Sequence, residues 1–251
     1  MIQVENLSFS YGKKEILNTL SLTVKKGEIT TILGENGCGK STLLNLLSKH
    51  LTYKKGSIQM DGKEIKDISF RQFSKMAALV SQHNTVPDSI TVKELVEYGR
   101  IPHQHTREAK NDSLYVNQAL EECNLMELAH MPVSALSGGQ MQRVWIAMAM
   151  AQNTEVLFLD EPTTYLDLKH QVELLRLIKR WKETRGVTVV MILHDINQAL
   201  HFSDQIIALK GGSLYFAGKP EKFLEQKHIR EVYGMDLTIL EQESKRFVIG
   251  I

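Results

Sequence analysis

Residues 34–42 read Gly-Glu-Asn-Gly-Cys-Gly-Lys-Ser-Thr, which fits the phosphate-cradling spacing G-x-x-x-x-G-K-[ST]. Glycines let the backbone wrap closely and aim N–H groups at phosphate oxygens. A helix beginning near Lys40 adds the positive end of its dipole. Lys40 is then expected to reach the β- and γ-phosphates of a nucleotide, and the Ser41 hydroxyl to ligate Mg²⁺. Gly34, Glu35, Asn36, Gly37, Cys38, Gly39 and Thr42 complete the nucleotide-binding loop. A thiol in such a loop raises the question of redox chemistry, but Cys38 reads as a small residue filling a variable position.

A second constellation closes the apolar run Val156-Leu157-Phe158-Leu159 with two carboxylates, Asp160 and Glu161. Unpaired carboxylates beside a core are costly, so such an ending implies use. Asp160 is expected to help hold Mg²⁺, directly or through water. Glu161 is expected to polarise the attacking water. Two further residues stand at the ends of apolar runs: Gln82 after 76–81 and His194 after 187–193. Gln82 can touch Mg²⁺ or the water through its amide, and His194 reads as a γ-phosphate contact. The catalytic candidates are therefore Glu161, His194, Gln82 and Lys40, and the metal candidates Ser41, Gln82 and Asp160.

Leu136-Ser137-Gly138-Gly139-Gln140 precedes the helical run Met-Gln-Arg-Val-Trp-Ile-Ala-Met-Ala-Met-Ala-Gln. The small Ser-Gly-Gly start leaves N–H groups and a hydroxyl at a helix N-terminus, a second place for an anion. One chain with two phosphate-binding helix ends suggests a head-to-tail dimer, with each ATP between one chain's phosphate loop and the partner's 136–140 segment.

These residues need elements to position them. The runs 28–33, 76–81, 155–159 and 187–193 are apolar and β-branched, the pattern of buried strands. Helical patterns lie between them, at 41–50 and at 168–185, where Leu168, Val172, Leu175 and Ile178 share a face and Gly186 is a stop. Strands alternating with helices predict a mainly parallel sheet. Each strand delivers its polar residue at the carboxyl end, where open α/β sheets bind ligands. The fold class expected is α/β: a P-loop NTPase core at 1–83 and 154–215, to which the family resemblance set out below adds an N-terminal antiparallel β portion. An α-helical subdomain is inserted at 84–153, and a helical appendage follows from 216.

Taken together, these strings resemble the nucleotide-binding subunits of ABC transporters over nearly the whole length. The resemblance implies that 34–42 is Walker A, Gln82 the Q-loop glutamine, and 136–140 the signature, read in trans. It makes Asp160 and Glu161 the end of Walker B, His194 the switch histidine and Tyr11 the aromatic that stacks on adenine. The D-loop is Thr164-Tyr165-Leu166-Asp167; Leu166 and Asp167 match, whereas the family often has a small residue where Tyr165 stands. The stretch 81–104 (SQHNTVPDSITVKELVEYGRIPHQ) and 193–199 (LHDINQA) are similar to importers of iron-siderophores, haem and vitamin B12. The siderophore branch is the nearest in 81–104; a haem or vitamin B12 importer, or a soluble non-transport ABC ATPase, is the alternative. His83, His103 and His105 lack a clear ligand set and read as a solvated histidine surface.

Composition sets outer bounds. Net charge is +1, so no electrostatic footprint of nucleic-acid binding is present and nucleic acid is not an expected partner. Cys38 and Cys123 make no disulfide framework, which points to a reducing compartment. No apolar run approaches the roughly 18 residues of a spanning helix. The expected setting is the cytoplasmic face of the cell membrane, bound peripherally. The expected partners are a second copy of the chain, integral-membrane permease subunits and, indirectly, an extracellular or periplasmic substrate-binding protein. The stretch 83–104 is the expected permease dock, with Val86, Ile90, Val92 and Leu95 as apolar candidates and Lys93 and Arg100 as exposed charges.

Overall fold

The computed structural model describes residues 1–82, 84–87, 89–242 and 245–249. It divides into two compact units, Met1–Asp67 with Thr188–Ile251, and Ile68–Val187.

The first unit begins with β1 (Ile2–Tyr11) and β2 (Lys14–Val24), an antiparallel pair. Their apolar residues alternate inward: Ile2, Val4 and Leu7 on one strand, Leu20, Leu22 and Val24 on the other. This one-sided pattern suits a sheet with one face packed. β3 (Ile29–Leu33) differs, with all five residues buried. It leads through the glycine loop into α1 (Lys40–Leu47). β4 (Lys55–Met60) and β5 (Lys63–Glu64) return beside the first pair in the order β2-β1-β4-β5.

The second unit opens with α2 (Phe70–Met76), started by a capping box between Ser69 and Gln72. β6 (Ala77–Val80) follows. Then come α3 (Val92–Tyr98), α4 (Asp112–Glu122) and α5 (Gly138–Ala151), with short 3₁₀ turns between them. β7 (Val156–Leu159) pairs parallel with β6, and α6 (Leu168–Arg185) closes the unit at a left-handed Gly186. The expected helix 168–185 is this one, but its core face is Leu174, Leu175, Leu177, Ile178 and Trp181. Leu168 is 72% exposed, because Asp167 caps the helix there, well before Leu174, the first of its buried residues.

The chain returns to the first unit as β8 (Thr188–Ile192), α7 (Ile196–Phe202), β9 (Gln205–Lys210) and β10 (Ser213–Gly218). β3 runs parallel to both β8 and β9, and β10 is antiparallel to β9. The tail is α8 (Pro220–Phe223), α9 (Gln226–Tyr233) and a hairpin of β11 (Thr238–Gln242) with β12 (Lys245–Ile249). The appendage is therefore not helical alone. Its last part alternates apolar and polar residues at a strand period, and Val248 is buried.

α3 and α5 meet backbone to backbone at Gly99. A Cβ there would lie 2.1 Å from the Met148 carbonyl oxygen, which belongs to a helix that cannot give way. Gly99→Ala is accordingly expected to lower unfolding free energy by about 3 kcal/mol in denaturant titration. Gly138→Ala, whose added methyl meets nothing within 4 Å, is expected to change stability by less than about 0.5 kcal/mol.

Candidate functional site

The chemistry-bearing residues are shared out between the units. The phosphate loop, Tyr11 and His194 lie in the first; Gln82, the 136–140 segment, Asp160, Glu161 and the D-loop lie in the second.

In the first unit, β3 delivers Gly34 at its carboxyl end. Gly34, Gly37 and Gly39 have φ of 144°, 80° and 105°, a region that L side chains rarely adopt. A Cβ on Gly34 would strike the Leu209 carbonyl oxygen at 2.4 Å, so the loop is pressed onto β9. Around Gly37 nothing lies within 4 Å, leaving that side open. Lys40 is only 5% exposed, yet its Nζ donates to the loop's own carbonyls, Gly34 O at 2.8 Å and Glu35 O at 2.9 Å. Among the described residues no carboxylate pairs with it. The first turn of α1 holds no acidic side chain, and Gly39 offers no side-chain cap. A buried cation without a counter-charge beside an uncapped helix start fits a polyphosphate. Cys38 is buried, and desolvation raises its pKa despite the nearby Lys40 ammonium. This thiol is a filler, not an activated nucleophile.

Tyr11 ends β1 about half exposed, in an edge contact with Phe9 with ring centroids 4.9 Å apart. His194 is exposed just past β8, between buried Leu193 and Asp195, whose carboxylate caps α7 by accepting the Gln198 N–H at 3.0 Å.

In the second unit, Gln82 Nε2 donates to Glu161 Oε2 at 2.6 Å. The same carboxylate oxygen accepts from the Thr164 hydroxyl at 3.3 Å. Two of the sequence-derived candidates thus meet directly, and Thr164, named from the sequence only as part of the D-loop string, joins them. Its signal was a hydroxyl three residues on in a tight turn. Glu161 has φ 51°, an uncommon conformation for a residue with a Cβ. Asp160 is nearly buried, and its N–H extends the β6–β7 pairing to Val80 O at 2.9 Å. No group of three or more His, Cys, Asp or Glu able to hold a metal exists among the described residues. A hydroxyl, an amide and one carboxylate suit Mg²⁺, which takes few protein ligands alongside phosphates and water.

Ser137 caps α5 in a capping box with Gln140, its oxygen accepting the Gln140 N–H at 3.3 Å. That leaves the hydroxyl proton available for an acceptor outside. Gly138 is open, and Gly139 lies near Leu166 and His170, so the 136–140 segment and the D-loop meet. Leu136 is half-buried. Asp167 accepts from the His170 N–H and side chain, both at 2.9 Å, and these bonds hold its carboxyl below the usual range. Tyr165 is 84% exposed with φ 65°.

Three expectations for 83–104 need correction. Arg100 is not a surface charge: it is 3% exposed, and its guanidinium reaches Asp112 at 2.8 Å and Ala151 O at 2.8 Å. Ile90, Val92 and Leu95 are buried too and pack the unit's own core. His103 is likewise no solvated histidine; it is buried, with Nε2 at 2.9 Å from Gln152 O and Nδ1 at 2.5 Å from Glu108. His105 is exposed, and His83 lies outside the described residues.

A family model described as ABC transporter matches residues 17–164. The chain is 43% identical over 241 residues to the iron(3+)-hydroxamate import ATP-binding protein FhuC of Bacillus subtilis (strain 168), covering 95% of this chain and 90% of that one. It is 40% identical over 251 residues to the petrobactin import ATP-binding protein YclP of the same organism, covering 100% and 99%. Among solved structures it matches the dimeric bacterial ABC transporter cassette MJ0796 with TM-score 0.77 and 30% identity, covering 88% of this chain and 99% of that one. The same cassette is known as a dimer after hydrolysis, with ADP and Pi bound. The chain belongs to the ABC transporter family and has the α/β P-loop NTPase fold. Within that family it is an ATP-binding, ATP-hydrolysing cassette. No helix among the described residues is long and apolar enough to cross a membrane.

The two thiols give a direct check on the loop. Burial raises both pKa values, that of Cys123 to about 12. Because only the thiolate alkylates, the native protein at pH 8 is expected to take up iodoacetamide at neither cysteine, whereas the denatured chain takes up two equivalents, read by intact mass. Fast labelling of Cys38 in the native protein would contradict the loop geometry.

Proposed function

We propose that this chain is the ATP-hydrolysing subunit that energises ferric-siderophore uptake through a separate permease, bound peripherally at the cytoplasmic face of the membrane. The observation that carries the ATPase half is the buried, carbonyl-held Lys40 with no carboxylate partner. Bound polyphosphate supplies the missing counter-charge. The cargo half is supported by the FhuC and YclP relatives, whose similarity extends over nearly the whole chain.

In this reading Tyr11 stacks on adenine, the N–H groups of 34–42 hold the phosphates, and Lys40 neutralises charge on the β- and γ-groups. Ser41, Gln82 and Asp160 would hold Mg²⁺, which would withdraw charge from the phosphate oxygens. Glu161 takes a proton from the attacking water, and His194 contacts the γ-phosphate. The Gln82 amide that now engages Glu161 must turn toward metal or water as the site fills. Leu136, Ser137, Gly138, Gly139 and Gln140 of a second copy close over the same nucleotide, with Leu166 and Asp167 at the seam. The permease contacts the exposed part of 83–104, and a substrate-binding protein acts through the permease.

Glu161→Gln keeps the shape and removes the base, so turnover is expected to fall roughly 10²–10⁴-fold. ATP is then trapped, and size exclusion with MgATP is expected to show a dimer; a mutant that binds ATP but stays monomeric argues against the sandwich. Lys40→Ala is expected to lose MgATP binding or hydrolysis. Docking is tested at Tyr98 and Ile101, which are 50% and 52% exposed. Tyr98→Asp and Ile101→Asp are expected to leave ATP binding by the isolated subunit intact while weakening permease assembly and ferric-siderophore uptake. Normal assembly and uptake in both would move the dock elsewhere.

A further inference from the structure

The C-terminal segment carries none of the residues assigned above, yet it grips two places that do. Leu224, Ile229 and Val248 form an apolar cluster of their own, joined by Ile196 and Leu200 of α7 and by Tyr233 of α9. Asn197, the second residue of α7, binds the main chain of β12 on both sides of one residue. Its Nδ2 donates to Val248 O at 3.0 Å, and its Oδ1 accepts the Val248 N–H at 2.8 Å. A carboxamide presents one donor and one acceptor side by side, as a neighbouring strand does. The amide therefore completes the edge of β12 that faces away from its partner Ile239.

α9 ends at the phosphate loop. Tyr233 lies beside that loop, with Cys38 and the Gly34 backbone near its hydroxyl, and burial holds its pKa above the usual phenol range. At the next residue, Gly234, a Cβ would stand 3.8 Å from Glu35 Oε1. Lys210 of β9 adds an ion pair to Glu231 of α9 at 2.7 Å.

We infer that the C-terminal segment braces the ATP site, and that Asn197 is a positioning residue for His194: by clamping the first turn of α7 to β12 it fixes the backbone on which that imidazole is presented. The inference rests on the reading of His194 as a γ-phosphate contact. On its other side His194 is held by buried β8, so α7 is the side that is free to vary. With seven residues, α7 is too short to hold its own geometry in water. Its first turn is held by the Asp195 cap and by what docks on it.

The test uses the full-length protein and steady-state MgATP hydrolysis, with fluorescent-nucleotide binding measured in parallel. Asn197→Ala is expected to lower kcat about tenfold while KM for ATP stays within about twofold, because misplacement of a reacting group costs rate more than binding. In a His194→Ala background the same substitution is expected to have no further effect, as for two residues that act as one unit. Val248→Pro removes the N–H that Asn197 accepts and is expected to reproduce the kcat loss from the other partner, which guards against a folding defect at Asn197. Full turnover in Asn197→Ala and Val248→Pro, with His194→Ala impaired, overturns the brace and leaves the reading of His194 intact. Losses that multiply in the double mutant overturn the route through His194. Full turnover in His194→Ala overturns the reading of His194 and the inference with it.

Discussion

At Lys40 a positive charge is buried against two carbonyl oxygens of its own loop, with no carboxylate partner among the described residues. Burying a charge on those terms is unfavourable, so the surrounding fold has to enforce it. β3, buried along its whole length, fixes where the loop begins. Three glycines in the left-handed region let it turn back on itself, and one of them is pressed against β9 so closely that no larger residue fits. α1 then starts without a side-chain cap and without acid in its first turn. Each of these choices leaves positive potential unanswered in the free protein, and a polyphosphate is the ligand whose charge answers it.

The second unit stores its chemistry differently. Glu161 sits in a left-handed conformation, held by an amide from Gln82 and a hydroxyl from Thr164. A strained backbone persists only where its surroundings over-determine it. Here the surroundings include the residue that begins the stretch leading to α3. Any event that turns Gln82 therefore changes the environment of the carboxylate and the start of that stretch together, which is the minimum needed for nucleotide state to be felt outside the site.

Helix α5 is fastened at both ends. At its start Ser137 and Gln140 close a capping box. At its end Arg100 donates to Ala151 O, His103 bonds Gln152 O, and the Gln152 side chain reaches back to Ser74 O at 2.5 Å and Ala77 O at 3.1 Å. A guanidinium at a helix C-terminus satisfies orphan carbonyls and opposes the negative end of the dipole. The Gly-Arg-Ile-Pro-His string of 99–103 thus has a structural task. Gly99 permits the close approach of α3 to α5, and the Arg100 and His103 side chains lock it.

What the sequence determined by itself was local. The phosphate loop, the strands that end in Gly34, Gln82, Asp160 and His194, the 136–140 cap and the stop of α6 at Gly186 all follow from spacing, periodicity and glycine's freedom at positive φ. These depend on residues a few positions apart, so a linear reading reaches them. The tertiary structure decided which side chains face water. Arg100 and His103 look like surface residues in a list of charges, but the carbonyls that bury them come from the far end of α5, some fifty positions on. The same holds for the tail, whose hairpin is bonded by Asn197 of α7, some fifty positions earlier. Burial and hydrogen-bond partners are properties of contacts distant in the chain, and only the folded structure brings those contacts together.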